Sequence, residues 1–299
     1  MEEKMTTFSF HPALKLGTNV PATLDFNRPF VGQVQGILES AGSGLMDRDG
    51  EVVVTGQAVA AILMIAGLEM VRGLPKLTLF SLGQNIERVG VLDLGDYRHN
   101  VVRARRNEIP SGEAFAGYTV IDGSGRGITD IQRVELAEKF GLKPEEVRVV
   151  DAGVGQIDFT DPTAGLVHKL VNTGLNVSDW AARRLVYLPA GSGLAAAIQA
   201  VTMHGLGESW IPVIRLNKGE DGVFHVAEIC DPQEMRQWGT AMVAKWTSDK
   251  SADALKSMVD SVNAGDGLCH VEFEGNTLIF TGVGTPTVKV IVTSAEFVS

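Results

Sequence analysis

The sequence predicts an α/β protein: two tandem Rossmann-like units with mainly parallel sheets, packed as a pseudo-dimer, plus a small C-terminal α+β appendage. Three observations predict it. Short apolar strands alternate with helices, the pattern of parallel sheets covered on both faces. The same order of strands, turns and helices occurs twice along the chain. The stretch Leu185–Gly205, LVYLPAGSGLAAAIQAVTMHG, joins a buried strand to an Ala-rich helix through a small-residue turn. In a parallel sheet such a junction leaves backbone N–H groups at a helix N-terminus, where an anion can bind. No Lys follows the glycines, so this is not a Walker loop, and the spacing is not G-x-G-x-x-G. Taken alone, the turn reads equally well as a strand-to-helix connection with no ligand.

Composition narrows the function. The 299 residues suffice for two domains, and 44% hydrophobic residues give ample core. No apolar run reaches the length of a membrane span, and MEEKMTTFSF is acidic where a secretory leader is basic. The expected location is the cytoplasm, with no membrane partner. The net charge is −10, and Arg103-Ala104-Arg105-Arg106 is the nearest approach to a basic run. A long nucleic acid is therefore not an expected partner. A small anion stays compatible, because backbone N–H groups and one or two arginines hold it without a global positive field. Cys230 and Cys269 form neither a disulfide framework nor a zinc spacing, and Glu145, Glu146 and Asp151 make no convincing metal cluster. No metal and no cofactor are expected.

Each element has its own signal. Thr7–Phe10 reads as a strand, and residues 11–30, broken by Pro21 and Pro29, as irregular. Val31, Val34, Ile37 and Leu38 fall on one helical face, with Gly42 at the exit. Glu51–Thr55 is a buried strand, and Ala58–Arg72 an apolar helix stopped by Gly73 and Pro75. Leu77–Phe80 and Glu87–Leu94 are strands. Tyr118–Ile121 opens the second half, followed by a glycine-rich loop. Thr129 then caps a helix over Asp130–Phe140. Val147–Ala152 is a strand, Pro162–Thr173 a helix, Leu185–Leu188 a strand and Leu194–His204 a helix. Ile211–Leu216 and Val223–Cys230 are strands, and Asp231-Pro232 starts a helix ending near Trp246. Beyond it the sequence predicts a helix over Ala252–Val262, a hairpin of Leu268–Phe273 with Thr277–Phe280, and a strand over Thr287–Val292.

The halves overlay in order. FNRP before VGQVQGILESAG matches FTDP before TAGLVHKLVNTG; VVVTGQAVAAI matches VYLPAGSGLAAAI; Pro75 falls on Pro212; IERVGVL matches VFHVAEI. The reading is a tandem duplication. Residues 1–106 form the first unit, 107–117 a polar linker, 118–246 the second unit and 247–299 the appendage.

Ligands of open α/β sheets sit beyond the carboxyl ends of the strands. In the second unit that edge carries Gly123, Ser124, Gly125 and Arg126, then Pro189, Ala190, Gly191, Ser192 and Gly193, then Asn217 and Lys218. In the first unit it carries Phe10 and His11, then Thr55, Gly56 and Gln57, then the turn holding Gly83 and Gln84. A ligand of two such units has twofold symmetry or is large enough to touch both.

Residues 118–236 resemble a known family almost end to end. The DGSGRGIT loop, the Pro-x-G turn before the Ala-rich helix, the His204-Gly205 helix end and the strand FHVAEICD carry the likeness. The family is that of short CRISPR-associated accessory proteins of type III loci, Rossmann-like and related to the CARF domains that sense cyclic oligoadenylate. Residues 7–106 resemble it more weakly, best in FNRPFVGQVQGILESAG. The second copy and residues 247–299 depart from the short form. The resemblance implies a cyclic oligoadenylate as partner, bound between two units that a single chain supplies, as a monomeric pseudo-dimer or a homodimer. Glycine turns then meet phosphates, Arg126 or Lys218 adds charge, and Phe10, Tyr187 or an Ala-rich wall meets adenine. With 6% aromatic residues, extensive base stacking is not expected.

Four readings follow. The first is a sensor or sink that binds the ring. The second is a metal-independent ring nuclease, with His11, Ser124, Arg126 and Ser192 as candidate catalytic groups acting by alignment and charge stabilisation. Against these stand ordinary roles: a strand end for His11, turn chemistry for the two serines. The third is a nucleotide-cofactor enzyme, which the missing glycine fingerprint disfavours. The fourth is a partner-binding protein that docks through residues 247–299.

Overall fold

The computed structural model describes residues 5–9, 19–21, 24–46, 51–82, 86–153, 162–263, 269–274, 277–282 and 288–291. It divides into two compact units, Met1–Thr240 and Ala241–Ser299. The larger is α/β and holds two five-stranded sheets. The first sheet has the order β2(Asn19–Pro21), β1(Met5–Ser9), β3(Glu51–Thr55), β4(Lys76–Leu82), β5(Ile86–Asp93). The second, read from the same side, has the order β7(Val147–Asp151), β6(Tyr118–Asp122), β8(Leu185–Leu188), β9(Val213–Lys218), β10(Phe224–Cys230). In both, the first four strands pair in parallel and the last is antiparallel. Each antiparallel pair has one register shift, at Leu79/Phe80 in one and Val226/Glu228 in the other.

Eight helices accompany the strands among the described residues: α1(Phe30–Ala41), α2(Ala58–Arg72), α3(Leu94–Asp96), α4(Asp130–Phe140), α5(Pro162–Val171), α6(Val177–Ala181), α7(Gly193–Gly207) and α8(Pro232–Asn263). Two of them organise the larger unit. α2 is buried on all sides except at Glu69 and Met70, and α7 is buried from Gly193 to Leu206. A helix that is apolar all round belongs in a core, and these two lie against each other. α2 begins at Gln57, whose side chain accepts the Ala60 N–H at 2.9 Å, and ends at Gly73. α4 is held by a reciprocal cap: Thr129 Oγ1 accepts from Gln132 N–H, and Gln132 Oε1 accepts from Thr129 N–H. Its Leu136 meets Val120, Val147, Val186 and Ile214 in the core of the second sheet. Each such side chain contributes about 1.5–3 kcal/mol by leaving water.

Most predicted elements are found within two or three residues of their expected ends. Three departures have physical reasons. The helices expected to end near Trp246 and to restart at Ala252 are one helix, because TSDKS contains neither Gly nor Pro to break it. The stretch 19–21, expected to be irregular, pairs as a short edge strand, where Pro21 loses no central ladder bond. Residues 94–108, which carry no clean periodicity, wind through α3, a π-helical turn and a 3₁₀ turn. The smaller unit carries a three-stranded antiparallel sheet, β11(Cys269–Glu274), β12(Thr277–Gly282) and β13(Val288–Ile291).

Several hydrogen bonds tie α4 to the β9–β10 hairpin, among them those of His225. His225 Nδ1 lies 2.6 Å from Glu135 Oε1, and Nε2 lies 3.1 Å from Asp221 Oδ2. The hydrogen bonds to Glu135 and then Asp221 raise the imidazole pKa above its ordinary 6.5. A raised folded value stabilises fully below 6.5 and loses that contribution as pH rises through the folded value. His225→Gln therefore lowers the Tm more at pH 6 than at pH 9 in thermal melts; an equal drop at both pH values would show that the charge is not involved.

Candidate functional site

The carboxyl ends of β3 and β8 each run into a small-residue turn and then a core helix. At the first, Gly56 adopts φ 91°, a left-handed conformation that favours glycine, before Gln57 caps α2. At the second, Pro189–Ser192 leads into α7. The two turns touch. A Cβ built on Gly193 would lie 2.9 Å from the Gly56 carbonyl oxygen and 3.4 Å from the Ala61 methyl. The N-termini of α2 and α7 are thereby brought together, each contributing partial positive charge. Among the described residues Ser192 makes no side-chain capping bond, and Gly191 is exposed with nothing within 4 Å of an added Cβ. Thr55, Gly56, Gln57, Ala190, Gly191, Ser192 and Gly193 are therefore placed at or beside one point.

The loop after β6 is built differently from the expectation of free donors. The buried Asp122 carboxylate accepts from Ser124 N–H at 2.9 Å, Ser124 Oγ at 2.6 Å and Gly127 N–H at 2.6 Å. Arg126 N–H donates to Ser124 Oγ at 3.2 Å. These N–H groups are turned inward onto a carboxylate, leaving the exposed Arg126 side chain as the loop's charged contact to solvent. Gly125 (φ 68°) packs against Gly153, whose added Cβ would sit 2.4 Å from the Gly125 Cα. Sequence inspection missed Asp122 as the organiser, although an Asp ahead of a glycine loop is an ordinary turn signal.

Beneath this loop lies a buried polar network. Gly123 N–H donates to Leu188 O at 2.8 Å, and Gln199 Nε2 donates to Ala152 O at 3.0 Å. The Tyr187 hydroxyl donates to Gln199 Oε1, and burial pushes its pKa well above the ordinary range. A Cβ on Gly123 would fall 2.7 Å from Gln199 Oε1 and 2.8 Å from the Tyr187 hydroxyl. Tyr187 has no exposed surface, and Ala195–Ala197 are buried, so neither offers the adenine contact suggested by sequence. They form the floor that holds the two glycine turns of the second sheet in place.

Asn217, at the end of β9, has a fastening role. Its Nδ2 donates to Phe26 O at 2.7 Å, and its Oδ1 accepts from Arg215 Nη1 at 3.0 Å. Arg215 is buried; it donates to Glu228 Oε2 at 2.9 Å and lies over the Phe30 ring at 4.5 Å. These bonds hold the FNRPF segment to the second sheet. The sequence signal was available: an arginine inside an apolar strand needs a partner. Lys218 is exposed. Phe10, His11, Gly83 and Gln84 lie outside the described residues, and of Thr55 the structure describes the backbone.

At the other end of α2 and α7 sits a part-buried ion cluster that the sequence did not reveal. The Glu69 carboxylate pairs with Arg98, accepts from Trp210 Nε1 at 2.7 Å, and lies 3.2 Å from His204 Nε2 and 3.3 Å from Arg236 Nε. Burial by itself would raise the Glu69 pKa, but His204, Trp210 and Arg98 together bring it down to about 2. The His204 ring stacks on Trp210 at 4.8 Å. Among the described residues no three His, Cys, Asp or Glu side chains are grouped to hold a metal, and no helix is long and apolar enough to cross a membrane. No protein-family model matches this chain, and none of the curated proteins or solved structures matches it.

Proposed function

We propose that the protein binds a cyclic oligoadenylate second messenger, sensing or sequestering it, between two units that arose by tandem duplication. The observation that carries this reading is the meeting of the Gly56 and Gly193 turns, one from each sheet, at the N-termini of α2 and α7. Identical strand order in the two sheets and similarly placed register shifts support a duplicated, pseudo-twofold scaffold. A ring of phosphodiesters has the matching symmetry. Its phosphates would face the helix N-termini and Arg126, and the link to type III CRISPR defence rests on the sequence resemblance of residues 118–236. The second reading, a metal-independent ring nuclease, is favoured by one feature: Ser192 makes no capping bond, so its hydroxyl has no such commitment beside the turn.

Gly191→Asp separates binding from stability. No described residue lies within 4 Å of an added Cβ there, so the described fold accepts the change. Its carboxylate would stand where an anion is expected. Binding of cyclic tetra-adenylate in calorimetry should weaken more than tenfold, with the Tm unchanged. Undiminished binding would remove the glycine turns from the site. Mass analysis of the ring after incubation with excess protein decides between the readings: an intact ring means a sensor or sink, and linear product means the nuclease.

A further inference from the structure

We propose a second binding site, at the opposite end of α7, for a small ligand that combines a planar ring with an anionic group. Two neighbouring clefts open there, of about 470 and 380 Å³, sharing Trp180 and Glu208 in their walls. α7 is 15 residues long, so this end lies about 20 Å from the Gly193 turn at 1.5 Å per residue. Three independent features coincide. Trp180, 4% exposed, walls both clefts, and its enclosed indole N–H has no hydrogen-bond partner among the described residues, a state that native interiors rarely leave unexplained. Glu208 (φ 57°) is the left-handed C-cap that ends α7, an ordinary helix stop, whereas Arg183 (φ 54°), which lines the same larger cleft, ends no helix at that angle. Such strained residues concentrate at ligand sites.

The third feature is charge. The chain carries −10 overall, yet the joined walls hold Arg103, Arg106, Arg183 and Arg236 against Glu208 and Asp231, a locally basic lining. Arg106 pairs with Glu208, Arg236 with Glu69, and Asp231 Oδ1 accepts the Gln233 N–H. Arg183 is exposed at the mouth without an ion-pair partner among the described residues. Trp210, Leu185, Ile211 and Pro212 supply apolar wall for a ring, and Arg183 is the group that meets the anion. A volume of this size suits a ligand such as a nucleoside monophosphate or an aromatic carboxylate.

Calorimetric titration of the full chain with adenosine monophosphate, 4-hydroxybenzoate, adenosine and inorganic phosphate tests this. Expected is saturable binding of one or both of the first two, at least tenfold tighter than adenosine or phosphate, and weakened at least tenfold in Arg183→Glu. Which of the two binds identifies the anion as phosphate or carboxylate. The same variant should leave cyclic oligoadenylate binding unchanged, which keeps this site separate from the glycine turns. Absence of binding by all four probes overturns the proposal. So does binding that Arg183→Glu does not weaken, or equal binding of adenosine or phosphate alone.

Discussion

Glu69→Ala lowers the unfolding free energy by about 3–5 kcal/mol, the cost of breaking the ion pair of a largely buried carboxylate and leaving its partners uncompensated. Arg98, His204 and Trp210 lose their acceptor together, and Arg236 loses its counter-charge. For a unit of this size that is a fall in Tm of about 6–20 °C. The effect has a pH signature. Glu69 titrates at about 2 in the folded protein against 4.5 as the ordinary value. A depressed folded pKa stabilises above the unfolded value and loses its contribution as pH falls through the folded one. The stability gap between wild type and Glu69→Gln should therefore be full at pH 6 and shrink between pH 4.5 and 2. A gap that does not change with pH would mean that the cluster acts through shape alone.

Gly193→Ala carries the second large effect, about 1–3 kcal/mol of overpacking strain together with loss of ring binding. Its methyl would meet the Gly56 carbonyl at 2.9 Å, and a backbone oxygen cannot swing aside as a flexible side chain can. α7 must shift away from the α2 turn, which opens the junction of the two helix N-termini. Gly191→Ala, with no described residue within 4 Å of the added methyl, is the control and should change neither Tm nor affinity. Equal behaviour of the two variants would mean that the turns are not tightly apposed.

How much was legible in the sequence differs between fold and site. Ala58–Arg72, Asp130–Phe140 and Leu185–Leu188 appear with the expected bounds, because caps and apolar runs are local signals. The strand-to-helix turns at Gly56 and Gly193 were also legible, through glycine and the switch in periodicity. Their apposition was not, since it depends on how α2 and α7 pack. The same limit hid Asn217's bond to Phe26, 191 residues away, and Glu69's four partners. Tyr187 looked like a ligand contact because an aromatic residue near a turn reads the same whether it faces solvent or core. The 0% exposure and the Gln199 bond assign it to the core.

Under the proposed function, the two sheets of one chain would share one anion site at the Gly56–Gly193 junction. Isothermal titration of the purified chain with cyclic tri-, tetra- and hexa-adenylate tests it most directly. Expected is saturable binding of one ring size at one ring per chain, abolished by Gly193→Ala. One ring per two chains would place the site between copies, and no binding to any ring would contradict the claim.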